Sequence, residues 1–485
     1  MSSITVPIAT EACASGINLF SNFRNTINGK LTTTEETRHG INPATGEPNP
    51  PVPVSTPQDV DQAVNAAKEV FGSWSKTPFQ GRKECLLAFA DKLIENEQDL
   101  AKLLVMEQGK PYVWALTEVR DAVRWLRAFA ALDLKDDIIQ EDEKLKVIRR
   151  HTPLGVSVGI IPWNYPLSLA CGKLGPATLA GNPIIIKPSP FTPYCGLKLG
   201  EIAQGCFPPG VVQVLSGDDN LGPWLTAHPI PEKISFTGST VVGKKIMESA
   251  AKTMKRLTLE LGGNDPAIVC KDVDVVETAQ KIAHLCFLNA GQICLAIKRV
   301  YVHEDIHDEF RDAMVSYVQS LKVGEGHEEN VFMGPIQNKT QFERVKGFFS
   351  DIEKENWQVA VGGVNEDKPG YFITPTIIDR PADDSRIVVE EQFGPIIPLL
   401  SWKEEDDVLA RANGARTGLG ASVWSKDVEN AGRMACQLEA GSVWVNNHFA
   451  LQPHISYGGH KESGVGMELE RPILTAGYDK STGNI

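Results

Sequence analysis

The chain has 485 residues, 42% hydrophobic and 22% charged, a composition that excludes a disordered or fibrous polypeptide and exceeds one ordinary core, so two large domains are expected. A formal net charge of −13 disfavours nucleic-acid and anionic-membrane partners, since both attract basic patches. The nine cysteines include no C-x-x-C pair, the termini carry no targeting signal, and no apolar run reaches the ~18 residues that cross a bilayer, so free thiols, no membrane and a cytoplasmic location are expected.

Residues 1–55 read as a mixed arm with a few short strands. Thr56 then stands as an N-cap before Pro57, and Val60, Val64, Ala67 and Val70 follow at helical spacing. Further helices are expected over 81–98, 100–108 and 115–132. Residues 133–151 change period, with Ile138, Ile139, Leu145, Val147 and Ile148 interrupted by acidic residues 141–143, which predicts a projecting hairpin. From 152 to 269 apolar strands (156–161, 183–186, 210–215, 235–237, 256–261) alternate with helices (191–203, 242–252), the pattern of a parallel doubly wound sheet. A second alternating region runs from 264 to about 445. It has helices over 279–290, 307–320 and 340–355, a strand over 299–302, and a strand over 441–445 that is expected to return the chain to the first domain.

The stretch F-L-N-A-G-Q-I-C-L-A-I-K-R over 287–299 centres on Cys294. A cysteine nucleophile acts as thiolate and needs an open approach and a lowered pKa; Gly291 clears the approach. A buried structural thiol is the alternative for an isolated cysteine. Four more motifs accompany it: I-P-W-N-Y-P (161–166), I-I-K-P-S (185–189), L-E-L-G-G-N (259–264) and E-Q-F-G-P (391–395). Together, in this order, with Glu260 and Cys294 34 residues apart and Asn164 and Lys187 23 apart, they resemble the aldehyde dehydrogenase superfamily from about Ile41 to about Lys480.

That resemblance implies an α/β fold of two doubly wound parallel-sheet domains with a small β oligomerisation hairpin. The implied division is residues 1–132 and 152–258 for dinucleotide binding, 259–447 for catalysis, and 133–151 with 466–485 for subunit contacts in a homodimer or homotetramer. No G-x-G-x-x-G is present. Instead Gly238, Ser239 and Val242 lie between a strand and a helix, where unpaired N–H groups suit a pyrophosphate, although a plain Gly-Ser turn reads the same way. The resemblance assigns Lys187 to the adenosine ribose, Glu391 to the nicotinamide ribose and Phe393 to packing beside it. It extends the cofactor set to Ile161, Pro162, Trp163, Ser189, Gly222 and Leu261. Pro190 stands where NAD-preferring members often carry a Glu, so NAD is expected with NADP or dual use left open.

The implied reaction is oxidation of an aldehyde through a thiohemiacetal and a thioester on Cys294, with Asn164 as oxyanion donor and Glu260 as general base for water. Glu260, between two leucines on an apolar strand, is expected to be buried with a raised pKa. Lys173 and Glu468 match a family proton path, while each alone reads as a surface charge. Tyr165, Leu169, Gly172, Leu288, Leu295, Leu451 and Tyr457 match the aldehyde tunnel, with Gly172 leaving it wide and the substrate a medium-sized apolar or aromatic aldehyde. No metal is expected; His448, His454 and His460 read as pocket lining or surface. A CoA-acylating dehydrogenase, a thioesterase and a catalytically silent scaffold are the competing readings.

Overall fold

Strands buried on both faces read as unbroken apolar runs. Ile184–Lys187, with the sequence IIIK, and Ser157–Ile160 are buried at every position. They sit inside an eight-stranded sheet with a parallel core in the order Val212–Val214, Ile184–Lys187, Ser157–Ile160, Lys233–Thr237, Arg256–Glu260. The computed structural model describes residues 17–132, 136–363, 369–468 and 478–484. The expectations for residues 1–16, 133–135 and 469–477 lie outside the described residues.

From Ser157–Ile160 the chain steps outward to one side through the next two strands. It then crosses back to Lys233–Thr237 on the other side. This is a topological switch point, where carboxyl ends of neighbouring strands splay and leave a crevice for ligands. Ile161 to Asn164 follow one of these strands, and Gly238 and Ser239 follow the other.

The second sheet has seven strands: Gln358–Val361, Thr376–Asp379, Ile396–Trp402, Ile297–His303, Asp265–Val269, Gly420–Trp424 and Ser442–Val445, in that order. Only the first pairs antiparallel. The strand expected to return the chain to the first sheet, Ser442–Val445, is instead the outer strand of the second. The return is made by Gly464–Val465, which pairs antiparallel with Arg256–Glu260. Two residues are too short a run to carry a periodicity signal. The arm is likewise partly absorbed, because Asn25–Ile27 pairs with Val212–Val214 at the first sheet's edge. The hairpin is Asp137–Glu141 and Lys146–Pro153, and Tyr478–Asn484 adds a third antiparallel strand.

The helix from Thr56 has the expected capping box: Thr56 Oγ1 accepts from the Asp59 N–H at 3.3 Å, and Asp59 Oδ2 accepts from the Thr56 N–H at 2.8 Å. Two helices beneath the crevice, Pro166–Leu179 and Tyr194–Ala203, lack a side-chain cap of their own. Buried carboxylates from other helices fill that role. Glu118 accepts from the N–H groups of Leu167 and Ser168 at 3.0 and 3.1 Å, and Glu107 from those of Tyr194 and Cys195 at 2.8 and 3.0 Å. An anion at a helix N-terminus satisfies orphan donors and the helix dipole together.

The expected helix over 279–290 runs from Val275 to Phe287 and gives way to a single tight turn, Leu288–Gly291. Asn289, Ala290 and Gly291 all have left-handed φ, 52°, 57° and 68°, which ends a right-handed helix. A Cβ at Gly291 would also collide with the Gly394 carbonyl oxygen. That close approach sets the loop carrying Cys294 against the segment carrying Glu391 and Phe393.

Candidate active site

Glu260 ends its strand 3% exposed, and its carboxyl lies near enough to the Cys294 thiol for the two groups to shift each other's pKa. Burial, reinforced by the charge of Glu468, pushes the Glu260 pKa up to about 7. The same burial and the neighbouring Glu260 push the Cys294 thiol well above its ordinary range. This reverses the lowered pKa expected for the nucleophile. The thiol is held in its protonated form beside a carboxylate that can take its proton.

Asn164 is 4% exposed and is tied to the cysteine loop, its Nδ2 donating to the Gln292 carbonyl at 2.9 Å. An amide has two donors, and this bond uses one. Lys298 donates to the Cys294 carbonyl at 2.6 Å and lies 3.4 Å from Glu391 Oε1. Glu391 Oε1 also accepts from the Gly263 N–H at 3.2 Å. A Cβ at Gly262 would collide with Glu391 Oε2, and one at Gly263 would stand 2.8 Å from the Cys294 carbonyl oxygen. The two glycines therefore admit Glu391 and the cysteine loop to the same spot. Phe393, at φ 49°, meets Trp163 edge-on at 5.3 Å.

Lys173 and Glu468, 295 positions apart, form an ion pair at 2.8 Å with side chains 1% and 15% exposed. Ser235 completes the group: its Oγ accepts from Lys173 at 3.0 Å and donates to Glu468 at 3.1 Å. Sequence reading missed Ser235 and Lys298, although a lysine inside a run as apolar as that around Lys298 is a usable signal.

The dinucleotide candidates gather at the switch point. Ile161 and Leu261 are buried, Leu261 under Gly243. Pro162 is half-buried beside them. Ser239 caps the helix Thr240–Ala251 by accepting from the Val242 N–H at 3.4 Å, and Val242 is exposed at that helix start. A Cβ at Gly238 would crowd the Phe236 ring. Lys187 is 7% exposed, lies beneath Gly222, and donates to the Pro188 carbonyl at a long 3.3 Å. Burial lowers its pKa to about 8, partly offset by Asp219. Ser189 Oγ accepts from the Phe191 N–H at 3.2 Å, turning the chain through Pro190.

Of the tunnel candidates, Tyr165, Leu169, Leu288 and Leu451 are half-buried and pack, like Cys294, against the core of the first domain. Trp125 borders the space beside Gly172, its ring 3.4 Å from where a Gly172 Cβ would be. One expectation, that Leu295 lines the tunnel, is corrected. Leu295 is 1% exposed and packs inward against Gly420, its carbonyl accepting from His448 Nε2 at 2.9 Å. Tyr457 is more than a wall, since its hydroxyl donates to Glu260 Oε1 at 3.0 Å. His448 itself is 2% exposed, while His454 and His460 are on the surface.

The model of the Aldehyde dehydrogenase family matches residues 31–479. The chain belongs to that family. This aldehyde dehydrogenase is 41% identical over 451 residues to "Aldehyde dehydrogenase LUC3" of a Fusarium species, covering 93% of this chain and 95% of that one. It superposes at TM-score 0.93 and 34% identity on a structure described as the NAD+ complex of aldehyde dehydrogenase from Bacillus cereus, covering 96% of this chain and 97% of that one. It superposes equally, at TM-score 0.93 and 32% identity, on a structure described as an E. coli NADP dependent enzyme, covering 96% and 98%. The enzyme oxidises aldehydes with a nicotinamide dinucleotide. Among the described residues, no helix is long and apolar enough to cross a membrane.

Proposed function

We propose that this dehydrogenase converts a medium-sized apolar or aromatic aldehyde to its acid by hydrolysis of a Cys294 thioester. The observation that carries the reading is the buried Glu260 carboxyl, near enough to Cys294 to raise its pKa, with the Asn164 amide bonded to the Gln292 carbonyl of the same cysteine loop. Glu260 takes the thiol proton, and the thiolate attacks the carbonyl carbon to give a thiohemiacetal. The second N–H of the Asn164 amide and the Cys294 main-chain N–H stabilise its oxyanion. When bound, the nicotinamide accepts the hydride that the thiohemiacetal loses. Glu260 first passes the thiol proton to the group of Lys173, Ser235 and Glu468. Ionised again and held by Tyr457, it then deprotonates the water that attacks the thioester, and Cys294 leaves as thiolate and takes a proton back as the acid departs.

The crevice fits a dinucleotide. The exposed helix start after Ser239 offers N–H groups to the pyrophosphate, and the buried Lys187 ammonium has spare donors for the adenosine ribose. Glu391 is the acceptor for the nicotinamide ribose, with Trp163 and Phe393 as walls. NAD is the preferred dinucleotide in this reading. Pro190 supplies no carboxylate against a 2′-phosphate, so NADP is also accepted. Residues 1–132 and 152–258 form the dinucleotide domain and 259–447 the catalytic domain. The hairpin at 133–151 with the tail at 466–485 serves subunit contacts in a homodimer or homotetramer; the exposed Ile138 and Ile139 support this. The free thiols of the eight described cysteines support a cytoplasmic location.

The test is reduced-cofactor absorbance with a panel of aldehydes and each dinucleotide, with and without CoA. Acid formation without CoA supports hydrolysis. A strict CoA requirement overturns it in favour of acyl transfer.

A further inference from the structure

Behind Asn164 lies a charged pair with no role in the chemistry just described. Lys110 and Glu118 form an ion pair at 2.5 Å with side chains 1% and 0% exposed. Burying two charges is costly unless every bond they make is used. Lys110 uses its donors on one short stretch. Besides Glu118 it donates to the main-chain carbonyl of Asn164 at 3.1 Å, and its ammonium sits 3.8 Å from the centre of the Tyr165 ring. Glu118 holds the other end of that stretch, through the N–H groups of Leu167 and Ser168 and, at 3.5 Å, the Ser168 hydroxyl.

We infer that the Lys110–Glu118 pair is a positioning device for the oxyanion side of the active site, fixing the turn over residues 164–168 so that the Asn164 amide and the Tyr165 ring face Cys294. Lys110 touches neither the thiol nor a substrate atom; it acts through Asn164 and Tyr165. The turn needs an outside anchor for a local reason. Its Tyr165 begins a helix with no side-chain cap and has φ −134° and ψ 67°, outside the regular helix and strand regions. The Asn164 side chain is tethered on its far side to the Gln292 carbonyl of the cysteine loop. The main-chain anchor from Lys110 is what keeps that side chain from following the loop. Without it, a displacement of about 1 Å at a reacting group costs on the order of 10²-fold in rate.

The inference rests on Asn164 being the oxyanion donor, and the experiment separates the two. In the double variant Lys110→Met/Glu118→Gln no buried charge is left unpaired, and the amide oxygen that replaces the Glu118 carboxylate still accepts from Leu167 and Ser168. Two rates are compared for each protein: the single-turnover NADH burst with an aldehyde, and alkylation of Cys294 by iodoacetamide, which needs no oxyanion donor. Burst rates are expressed per labelled Cys294, so a partly unfolded preparation does not imitate the effect. The double variant is expected to slow the burst about 10- to 100-fold with alkylation unchanged. Adding Asn164→Ala to it should cost no more than Asn164→Ala alone, because residues acting through one another are not additive. Glu118→Gln alone, the milder variant should the double one not fold, is expected to slow the burst severalfold. A normal burst in these variants, or full multiplication of the losses in the triple variant, overturns the positioning role. A normal burst in Asn164→Ala instead overturns the oxyanion reading, and this inference with it.

Discussion

Glu260→Gln separates the two halves of the reaction. The substitution keeps the size of the side chain and an oxygen for the Tyr457 hydroxyl, and removes only the ability to take a proton. General-base catalysis contributes about 10²- to 10⁴-fold, so steady turnover should fall within that range. A burst approaching one NADH per active site should persist, since the oxyanion donors and the thiol are intact. The pKa sharpens the expectation. A carboxyl raised from 4.5 to about 7 is about half ionised at pH 7, and the base works only when ionised. Wild-type steady turnover should therefore fall about tenfold per pH unit below about 7, and the variant should lose that acid limb. A carboxyl at its ordinary 4.5 would hold the rate flat through the same window. Because Glu260 also lies near enough to the Cys294 thiol to take its proton, the variant's burst should be slower at neutral pH and recover as pH rises and the thiol ionises unaided. Rapid-mixing absorbance measures burst and steady phases, and mass spectrometry detects the acyl adduct on Cys294. Normal steady turnover, or no burst at any pH, refutes the reasoning.

Cys294→Ala should abolish turnover while dinucleotide affinity, measured by fluorescence titration, stays intact; turnover within tenfold of wild type contradicts the assignment. The charges around Glu260 predict opposite shifts of the acid limb in pH–rate profiles. Lys173 lowers the Glu260 pKa and Glu468 raises it, so Lys173→Met should move the limb to higher pH and Glu468→Gln to lower pH. Identical profiles would show that neither charge reaches the base. Pro190→Glu should raise the ratio of kcat/KM for NAD over NADP, and an unchanged ratio would show that position 190 does not face the ribose. Trp125→Ala should open the space over Gly172 and raise kcat/KM for bulky aromatic aldehydes relative to small aliphatic ones; an unaltered selectivity would remove Trp125 from the tunnel wall.

Local physics was legible in the chain alone. Apolar runs such as 183–186 favour buried strands, Thr56 before Pro57 favours a helix start, and Glu260 between leucines on such a strand is expected to be desolvated. Those signals depend on neighbours a few positions away, so they survive without coordinates. The motif resemblance added the chemistry, because an amide at 164, a carboxyl at 260 and a thiol at 294, in that order, match one family's machinery. What sequence could not supply was everything fixed by contact between distant segments. The Lys173–Glu468 pair spans 295 positions, and each member alone is an ordinary surface charge. Trp125 fills the gap at Gly172 from a different helix, and Tyr457 reaches Glu260 across 197 positions. The protonated state of Cys294 was decided the same way. A cysteine motif says nothing about how much solvent the packed protein removes or how near it sets a carboxylate, and those two quantities determine whether the thiol holds its proton.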